Sequence, residues 1–370
     1  MAEANHRLTP PAGVTRRLRV AVLFGGRSGE HDVSLASAAN VLAALSPDRY
    51  TVLPIGIDRT GRWLAAADAQ AQLAGRRAGE GQEPSQALAS AVKDAGGPVD
   101  VVFPVLHGTY GEDGALQGFL EMAGLAYVGC GVLSSALAMD KVLSKRVFRE
   151  AGFPVVPEVT FRAVEWSAAR GAEVARVCGF PCFVKPANLG SSVGVSKVHH
   201  AGELDGAVQL AARYDTKLVA EWAVPEAREI ECAVLGNGHP EASVPGEIIP
   251  SREFYDYAAK YLDGASELLI PAPLDADRTA EIRRLAVGAF TALDCSGMAR
   301  VDFLLSRTTG KLYLNEVNTI PGFTSISMYA KLWQAAGLPY AQLIDRLIEL
   351  ALARHQERAH LSTTFEPPSR

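Results

Sequence analysis

The sequence predicts a three-domain protein, an α/β domain of parallel strands followed by two α+β domains. Three observations lead there. The chain has 370 residues, enough for two or three cores. Its first ordered stretch, Leu18-Arg19-Val20-Ala21-Val22-Leu23-Phe24, is almost continuously apolar, as a strand buried on both faces should be. From about residue 155 the pattern changes to strands with charged interruptions, the texture of an α+β domain.

Residues 1–17 are polar and contain Pro10-Pro11, which predicts a disordered tail. The first strand ends in Gly25-Gly26-Arg27-Ser28-Gly29-Glu30. Helical spacing of Val33, Ala36, Ala39 and Ala43 predicts a helix from about Val33 to Leu45. Tyr50–Ile57 then reads as a strand, completing a βαβ unit. Residues 64–98 are rich in Ala, Gln, Gly and Arg with weak periodicity, which predicts short helices and a variable loop. Another buried strand, Val99–Leu106, leads into His107-Gly108-Thr109-Tyr110-Gly111-Glu112-Asp113-Gly114. One helix is expected from about Ser134 to Ala151, stopped by Gly152 with Pro154 beyond. Residues 247–264 read as a long aromatic and charged loop. The last part, 327–354, reads as two helical stretches broken at Gly337 and Pro339, with Leu343, Ile344, Leu347, Ile348 and Ala351 as a packing stripe.

A formal charge of −5 gives no hint of a nucleic-acid surface. No apolar run approaches a membrane span, and the N-terminus has no apolar core segment of a signal peptide, so a soluble cytoplasmic protein is expected. The five cysteines lack paired spacing, which suits reduced thiols; Cys178 and Cys182 read as buried packing, and His199-His200 as an exposed strand end.

Chemistry concentrates in two places. Asp302 stands in Ala299-Arg300-Val301-Asp302-Phe303, and Glu316 with Asn318 in Leu314-Asn315-Glu316-Val317-Asn318. Strand side chains alternate, so Glu316 and Asn318 share a face, and a hairpin loop at Ser306–Gly310 would bring Asp302 beside them. Oxygen ligands of this kind suit a hard cation, Mg²⁺ or Mn²⁺, shared with phosphate; a polar strand face washed by water is the plainer reading. The second place is Phe183-Val184-Lys185-Pro186 with Gly190-Ser191-Ser192-Val193-Gly194. Its glycines let backbone amides approach an anion, with Lys185 as a point charge; a plain hairpin with a solvated lysine is the alternative, and the hard-cation site further on favours the nucleotide. Gly25-Gly26-Arg27-Ser28-Gly29 does not complete a dinucleotide fingerprint, and no P-loop is present. In Lys217–Val224 and Arg228–Val234, Glu221 and Glu229 read on their own as surface acids. Lys141 and Lys145 share a helix face and read as ordinary solvated lysines.

In order along the chain, these blocks resemble the D-alanine–D-alanine ligase family of ATP-grasp ligases. The likeness runs from about Leu18 to Leu350. It rests on G-G-x-S-x-E with Val33-Ser34, Leu106-His107-Gly108 with Gly111–Gly114, Met139-Asp140-Lys141, and Lys185-Pro186 with Gly190–Gly194. It continues through Phe254-Tyr255-Asp256-Tyr257-Ala258-Ala259-Lys260-Tyr261, Arg300-Val301-Asp302 and Asn315–Ser325. The resemblance implies an ATP-grasp fold with an N-terminal Rossmann-like domain at 18–132. ATP-grasp subdomains follow at 133–220 and 221–355, the latter with a lid at 247–264, and a tail at 356–370. It implies ATP-dependent joining of two D-alanines through a D-alanyl phosphate.

Residue by residue, the resemblance gives Asp302, Glu316 and Asn318 two Mg²⁺ ions, or Mn²⁺. Lys141, Lys185, Ser192 and Lys260 fall to the phosphates, and Glu221, Ala223, Val224, Glu229 and Phe254 to the nucleoside. Glu30, with His107 assisting, falls to the first ammonium; Arg300 and the Gly322 N–H to the oxyanion; Ser327 and the Met328 backbone to the second carboxylate. Tyr261, linked toward Ser191 and Glu30, favours D-alanine over D-lactate as second substrate. One departure is Trp222, where some relatives carry Lys; a backbone contact there would make it silent. A homodimer is implied by kinship alone. A regulatory nucleotide-binding protein would be expected to have lost a metal ligand, a lysine or Arg300, and all are present.

Overall fold

A computed structural model of the chain describes residues 16–64, 66–76, 79, 81–94, 96–250, 266–324 and 326–362. The expected tail at 1–17 lies almost wholly outside them.

The first domain is built on β1 (Leu18–Gly25), α1 (His31–Ala44), β2 (Tyr50–Ile57), β3 (Trp63–Leu64), α2 (Ala66–Leu73), α3 (Pro84–Asp94) and β4 (Val101–Pro104). Its sheet runs β3-β2-β1-β4, with β1 parallel to both neighbours and β3 antiparallel to β2. The βαβ unit is present, and β1 is buried from Val20 onward, which accounts for its apolar run. Next come α4 (Ala115–Met122), α5 (Val132–Met139) and α6 (Lys141–Glu150). The single helix expected over 134–151 is therefore two. Asp140 breaks it with extended backbone, and its carboxylate accepts the N–H groups of Val142 and Leu143 at 3.1 Å each, an N-cap that starts a new helix. Gly152 stops α6 at φ +80°, as expected.

The second sheet contains β5 (Glu158–Arg162), β6 (Cys182–Pro186), β7 (Ser196–Val198) and β8 (Lys217–Trp222), in the antiparallel order β5-β8-β6-β7. Helices α7 (Ala168–Val177) and α8 (Leu204–Ala211) back it with Val174, Leu204 and Val208, around the buried Cys178 and Cys182. The third sheet holds β9 (Ala227–Gly236), β10 (Glu241–Ala242), β11 (Gly246–Ile249), β12 (Glu267–Leu269), β13 (Gly297–Ser306) and β14 (Leu312–Asn318), in the order β12-β11-β9-β13-β14 with β10 on β9. Helix α9 (Ala276–Ala292) packs Ile282, Ala286 and Phe290 behind it.

Two expectations change here. The loop placed at 247–264 begins later, because Glu247–Ile249 belong to β11 and pair with β9 and β12. Glu247 tolerates burial there because Arg228 grips both its oxygens at 2.8 and 2.6 Å. The tail placed at 356–370 also starts later, since the last helix continues to Ala359. That helix, α11 (Tyr340–Ala359), and α10 (Met328–Ala335) share one core with β1 and β4, through Phe24, Phe103, Phe323, Tyr329 and Leu347. The end of the chain thus docks on the first domain. The Asn40 amide donates to the Phe323 carbonyl at 3.1 Å, and Phe323 N–H to Ser37 at 3.2 Å, fixing the loop after β14 against α1.

Candidate active site

The hairpin forms as its loop residues suggested. Register pairs Asp302 with Glu316 and Arg300 with Asn318, with an irregularity after Asp302. On β13's other side Asp302 faces Glu231 of β9, so three acids lie in a row across three strands. Arg300 holds this row together. Its guanidinium bonds both Asp302 oxygens at 2.7 Å and approaches Glu231 at 3.0 Å. Burial works against charge on Arg300, but Asp302 and Glu231 outweigh it and hold its pKa well above the usual value. Asn318 donates to Asp302 at 2.9 Å. Glu316 stands 3.7 Å from the Lys141 ammonium.

These residues open on a cleft whose wall includes Glu30, His107, Ser191, Arg300, Glu316, Asn318, Gly322, Ser327 and Met328. All three sheets' domains contribute to it. Asp302 is not on that wall; both its oxygens accept from the Arg300 guanidinium. At the first-domain end, Glu30 precedes α1 and accepts a hydrogen bond from Ser191 across the domain boundary. Gly108 at φ +77° is required beside it, since a Cβ there would meet a Glu30 oxygen at 2.8 Å. His107 is buried, which favours its neutral imidazole. Its Nδ1 lies 3.1 Å from the Ile320 carbonyl and its Nε2 3.2 Å from Ser37, so Nδ1 carries the proton and Nε2 accepts; burial first of all lowers its pKa. His107 therefore brings no charge of its own. Ser191 and Ser192 sit at φ +49° and +58°, a backbone that non-glycine residues rarely adopt, in the loop that meets Glu30.

The cleft continues past Glu112, Gly190 and Glu316 into a smaller recess lined by Lys141 and Leu189. Lys141 opens α6 and donates to the Leu189 carbonyl at 2.5 Å. Beyond lies Glu221 of β8, which bonds Lys185 at 2.8 Å and also Lys145. Two ammoniums keep Glu221 far below the usual carboxylate range against the opposing effect of burial. Glu221 is thus no surface acid. Ala223 and Val224 follow β8 and are buried, with the Ala223 N–H donating to the Pro181 carbonyl at 3.2 Å. Trp222, the site of the departure, packs its ring edge-to-face against Tyr313 at 5.7 Å. Glu229 lies on β9 beside Ile248 and Leu304. Phe254, Lys260 and Tyr261 lie outside the described residues.

Three residues of this region escaped the sequence reading. Lys145 is not a solvated lysine: it is buried against Glu221. Glu231 carries the third place in the acidic row. Glu112 lines both parts of the cleft and accepts the Gly108 N–H at 3.0 Å; burial and then Glu30 push its pKa well up. Glu231 had a signal in the alternation of Glu229 and Glu231 along β9, and Glu112 in the Gly111–Gly114 block. Lys145 had none.

Comparison with known proteins decides the family. Residues 19–130 match the family described as "D-ala D-ala ligase N-terminus", and residues 147–349 match "D-ala D-ala ligase C-terminus". The chain belongs to the D-alanine–D-alanine ligase family. It is 52% identical to the D-alanine–D-alanine ligase of Thermoanaerobacter sp. (strain X514), over 92% of this chain and 98% of the relative. Identity to the corresponding ligase of Natranaerobius thermophilus is 47%, over 95% and 99%. Among solved structures, the D-alanine–D-alanine ligase from Coxiella burnetii aligns with a TM-score of 0.78 at 40% identity, over 93% of this chain and 96% of that one. The VanG D-Ala:D-Ser ligase from Enterococcus faecalis aligns with a TM-score of 0.78 at 36% identity, over 91% and 100%. The fold is therefore that of the ATP-grasp ligases.

Membership in this ligase family implies ATP and a divalent metal, and the cleft fits both. Among the described residues no three His, Cys, Asp or Glu side chains converge as a metal site by themselves. The donors at hand are the carboxylates of Glu316 and Asp302 and the carboxamide of Asn318, all hard oxygen. Such a partial set suits a cation that takes its remaining oxygens from a phosphate. Lys141, 3.7 Å from Glu316, and Lys185, paired with Glu221 at 2.8 Å, are cations of the kind that phosphates would require.

Proposed function

We propose that this protein uses ATP to join two molecules of D-alanine into D-alanyl-D-alanine, a precursor of peptidoglycan. The observation that carries the reading is the single cleft in which Glu30, Arg300, Glu316, Gly322 and Ser327 meet. The chemical problem is to make a carboxylate electrophilic. Transfer of the ATP γ-phosphoryl group gives D-alanyl phosphate, whose phosphate then leaves as the second amine attacks.

Glu30, oriented by Ser191, offers a carboxylate to the ammonium of the first D-alanine. Arg300 and the Gly322 N–H receive the negative charge of the tetrahedral intermediate. Gly322 has no room for a side chain, since a Cβ would meet the Ser327 hydroxyl at 2.6 Å. Ser327 and Met328 stand at the N-terminus of α10, where the helix dipole and open amides favour the second substrate's carboxylate. Lys141, Lys185 and Ser192 face the phosphates, with Lys260 from the loop. Glu221, Ala223, Val224, Glu229 and Phe254 hold the nucleoside. Asp302, Glu316 and Asn318 would hold two Mg²⁺ ions, or Mn²⁺, which would offset phosphate charge when bound, with Arg300 sharing Asp302. Kinship alone assigns Tyr261, outside the described residues, to the Ser191–Glu30 pair and to the choice of D-alanine as second substrate.

The reaction is assigned to the cytoplasm, with small molecules as its only ligands and no nucleic acid or membrane partner; among the described residues no helix is long and apolar enough to cross a membrane. A homodimer is supported by apolar side chains left exposed on the adjoining α4 and α5: Phe119, Met122, Val132 and Leu133, with Met122 92% exposed. Met122→Glu with Leu133→Glu is expected to turn the dimer into an active-site-complete monomer by light scattering. A dimer that survives both substitutions places the interface elsewhere.

The test of the reaction is phosphate release from Mg-ATP with D-alanine, L-alanine, or D-alanine plus D-lactate or D-serine, with product masses. Release with D-alanine and the D-alanyl-D-alanine mass is expected. A mixed product in the presence of D-alanine moves the chain to another second substrate, and no D-alanine-dependent turnover overturns the reading.

A further inference from the structure

Among the described residues, Lys145 is the only buried lysine, with 1% of its side chain exposed. It lies one turn after Lys141 on α6, yet its ammonium turns away from the cleft to Glu221 Oε1, with Glu158 Oε2 at 4.0 Å. The other oxygen of Glu221 is held by Lys185 at 2.8 Å. One buried carboxylate is thus divided between two lysines, an oxygen each. Its neighbour in the β5–β8 register is Glu158, whose own outer partner is Arg149 at 3.0 Å. Burial works against charge on every member, and the cluster balances only while both lysines stay.

The two lysines differ in what else they can reach. Lys185 is 15% exposed and also feels the field of Glu316 and Glu229, on the nucleotide side. Lys145 is enclosed and packed into a helix. When Lys185 moves to a phosphate, Glu221 has to remain ionised and aimed with one cation fewer. We infer that Lys145 is a positioning residue for nucleotide binding, holding Glu221 compensated so that Lys185 can be handed from Glu221 to the phosphates. The inference rests on the roles proposed above for Glu221 and Lys185. Without Lys145, Glu221 retains Lys185, and nucleotide binding has to break that pair.

The expected result for Lys145→Met is a KM for ATP raised about tenfold or more, with the KM for D-alanine within about twofold of the parent. Lys145→Arg, which keeps the charge, is expected to restore most of the ATP affinity. In a Glu221→Gln background the carboxylate is gone, so adding Lys145→Met is expected to change the KM for ATP little. A purely structural lysine would instead lower thermal stability and the active fraction, with neither KM moved. An unchanged KM for ATP in Lys145→Met overturns the inference, as does an equal cost in both backgrounds. If Lys145→Met alone does not fold, the neutral pair Lys145→Met/Glu221→Gln is expected to fold, and its failure to do so also counts against the inference. Single variants Glu221→Gln and Lys185→Ala separate the two levels. If neither raises the KM for ATP, the nucleotide site reading falls together with this one. If both raise it and Lys145→Met does not, only the role of Lys145 falls.

Discussion

Arg300→Met is expected to lower kcat by about 10²–10³-fold, the usual loss when a donor to a developing oxyanion is removed. The same change costs stability, because Arg300 is the shared partner of Asp302 and Glu231. Its side chain is 17% exposed, and those of the two acids 13% and 7%. Removing one partner of a buried ion pair costs about 3–5 kcal/mol, since the remaining carboxylates keep their desolvation and lose their cation. Kinetics therefore have to be read per folded molecule, below the variant's melting temperature. Arg300→Lys keeps a positive charge without the two-pronged geometry and is expected to recover stability better than rate. A full kcat in the folded fraction of Arg300→Met would remove Arg300 from the chemistry and leave it a structural clasp.

Glu316→Gln is expected to lower kcat by about 10³-fold and to raise the Mg²⁺ concentration needed for half-maximal rate. A divalent cation contributes several kcal/mol of charge stabilisation in phosphoryl transfer, and each ~1.4 kcal/mol is tenfold in rate. The substitution keeps shape and removes charge, so it tests the oxygen's charge and not its packing. Stability is expected to change little. Glu316 is 26% exposed and its ion pair with Lys141 spans 3.7 Å, an arrangement worth about 0–1 kcal/mol. The two variants thus separate cleanly: one loses rate and stability, the other loses rate and metal affinity. A parental rate and metal requirement in Glu316→Gln would falsify its assignment as a metal ligand.

Much of the site was legible in the chain because its strands carry it in short blocks. Alternation placed Glu316 and Asn318 on one face, and the polar loop at 306–310 predicted the turn that brings Asp302 opposite Glu316. Arg300 followed from the same alternation. The break at Asp140 was readable too, as an acid suited to an N-cap, but the apolar periodicity on both sides concealed it. Glu221 and Lys145 were misread as solvated groups for a common reason. Local sequence shows that a residue is charged, whereas its burial depends on what another element brings up against it.

The sequence by itself determined the order of elements, the parallel βαβ unit of the first sheet, the β13–β14 hairpin and the residue types a hard cation and a phosphate require. These depend on periods of two and 3.6 residues and on turn chemistry, which act over a few residues. Only the tertiary structure decided that Glu231 lies beside Asp302, that Ser191 reaches Glu30, and that Lys145 and Lys185 divide Glu221. Each of these joins residues far apart in the chain. Their pairing is set by strand order and domain packing, where the need to satisfy every buried charge selects one arrangement from many that local pattern allows.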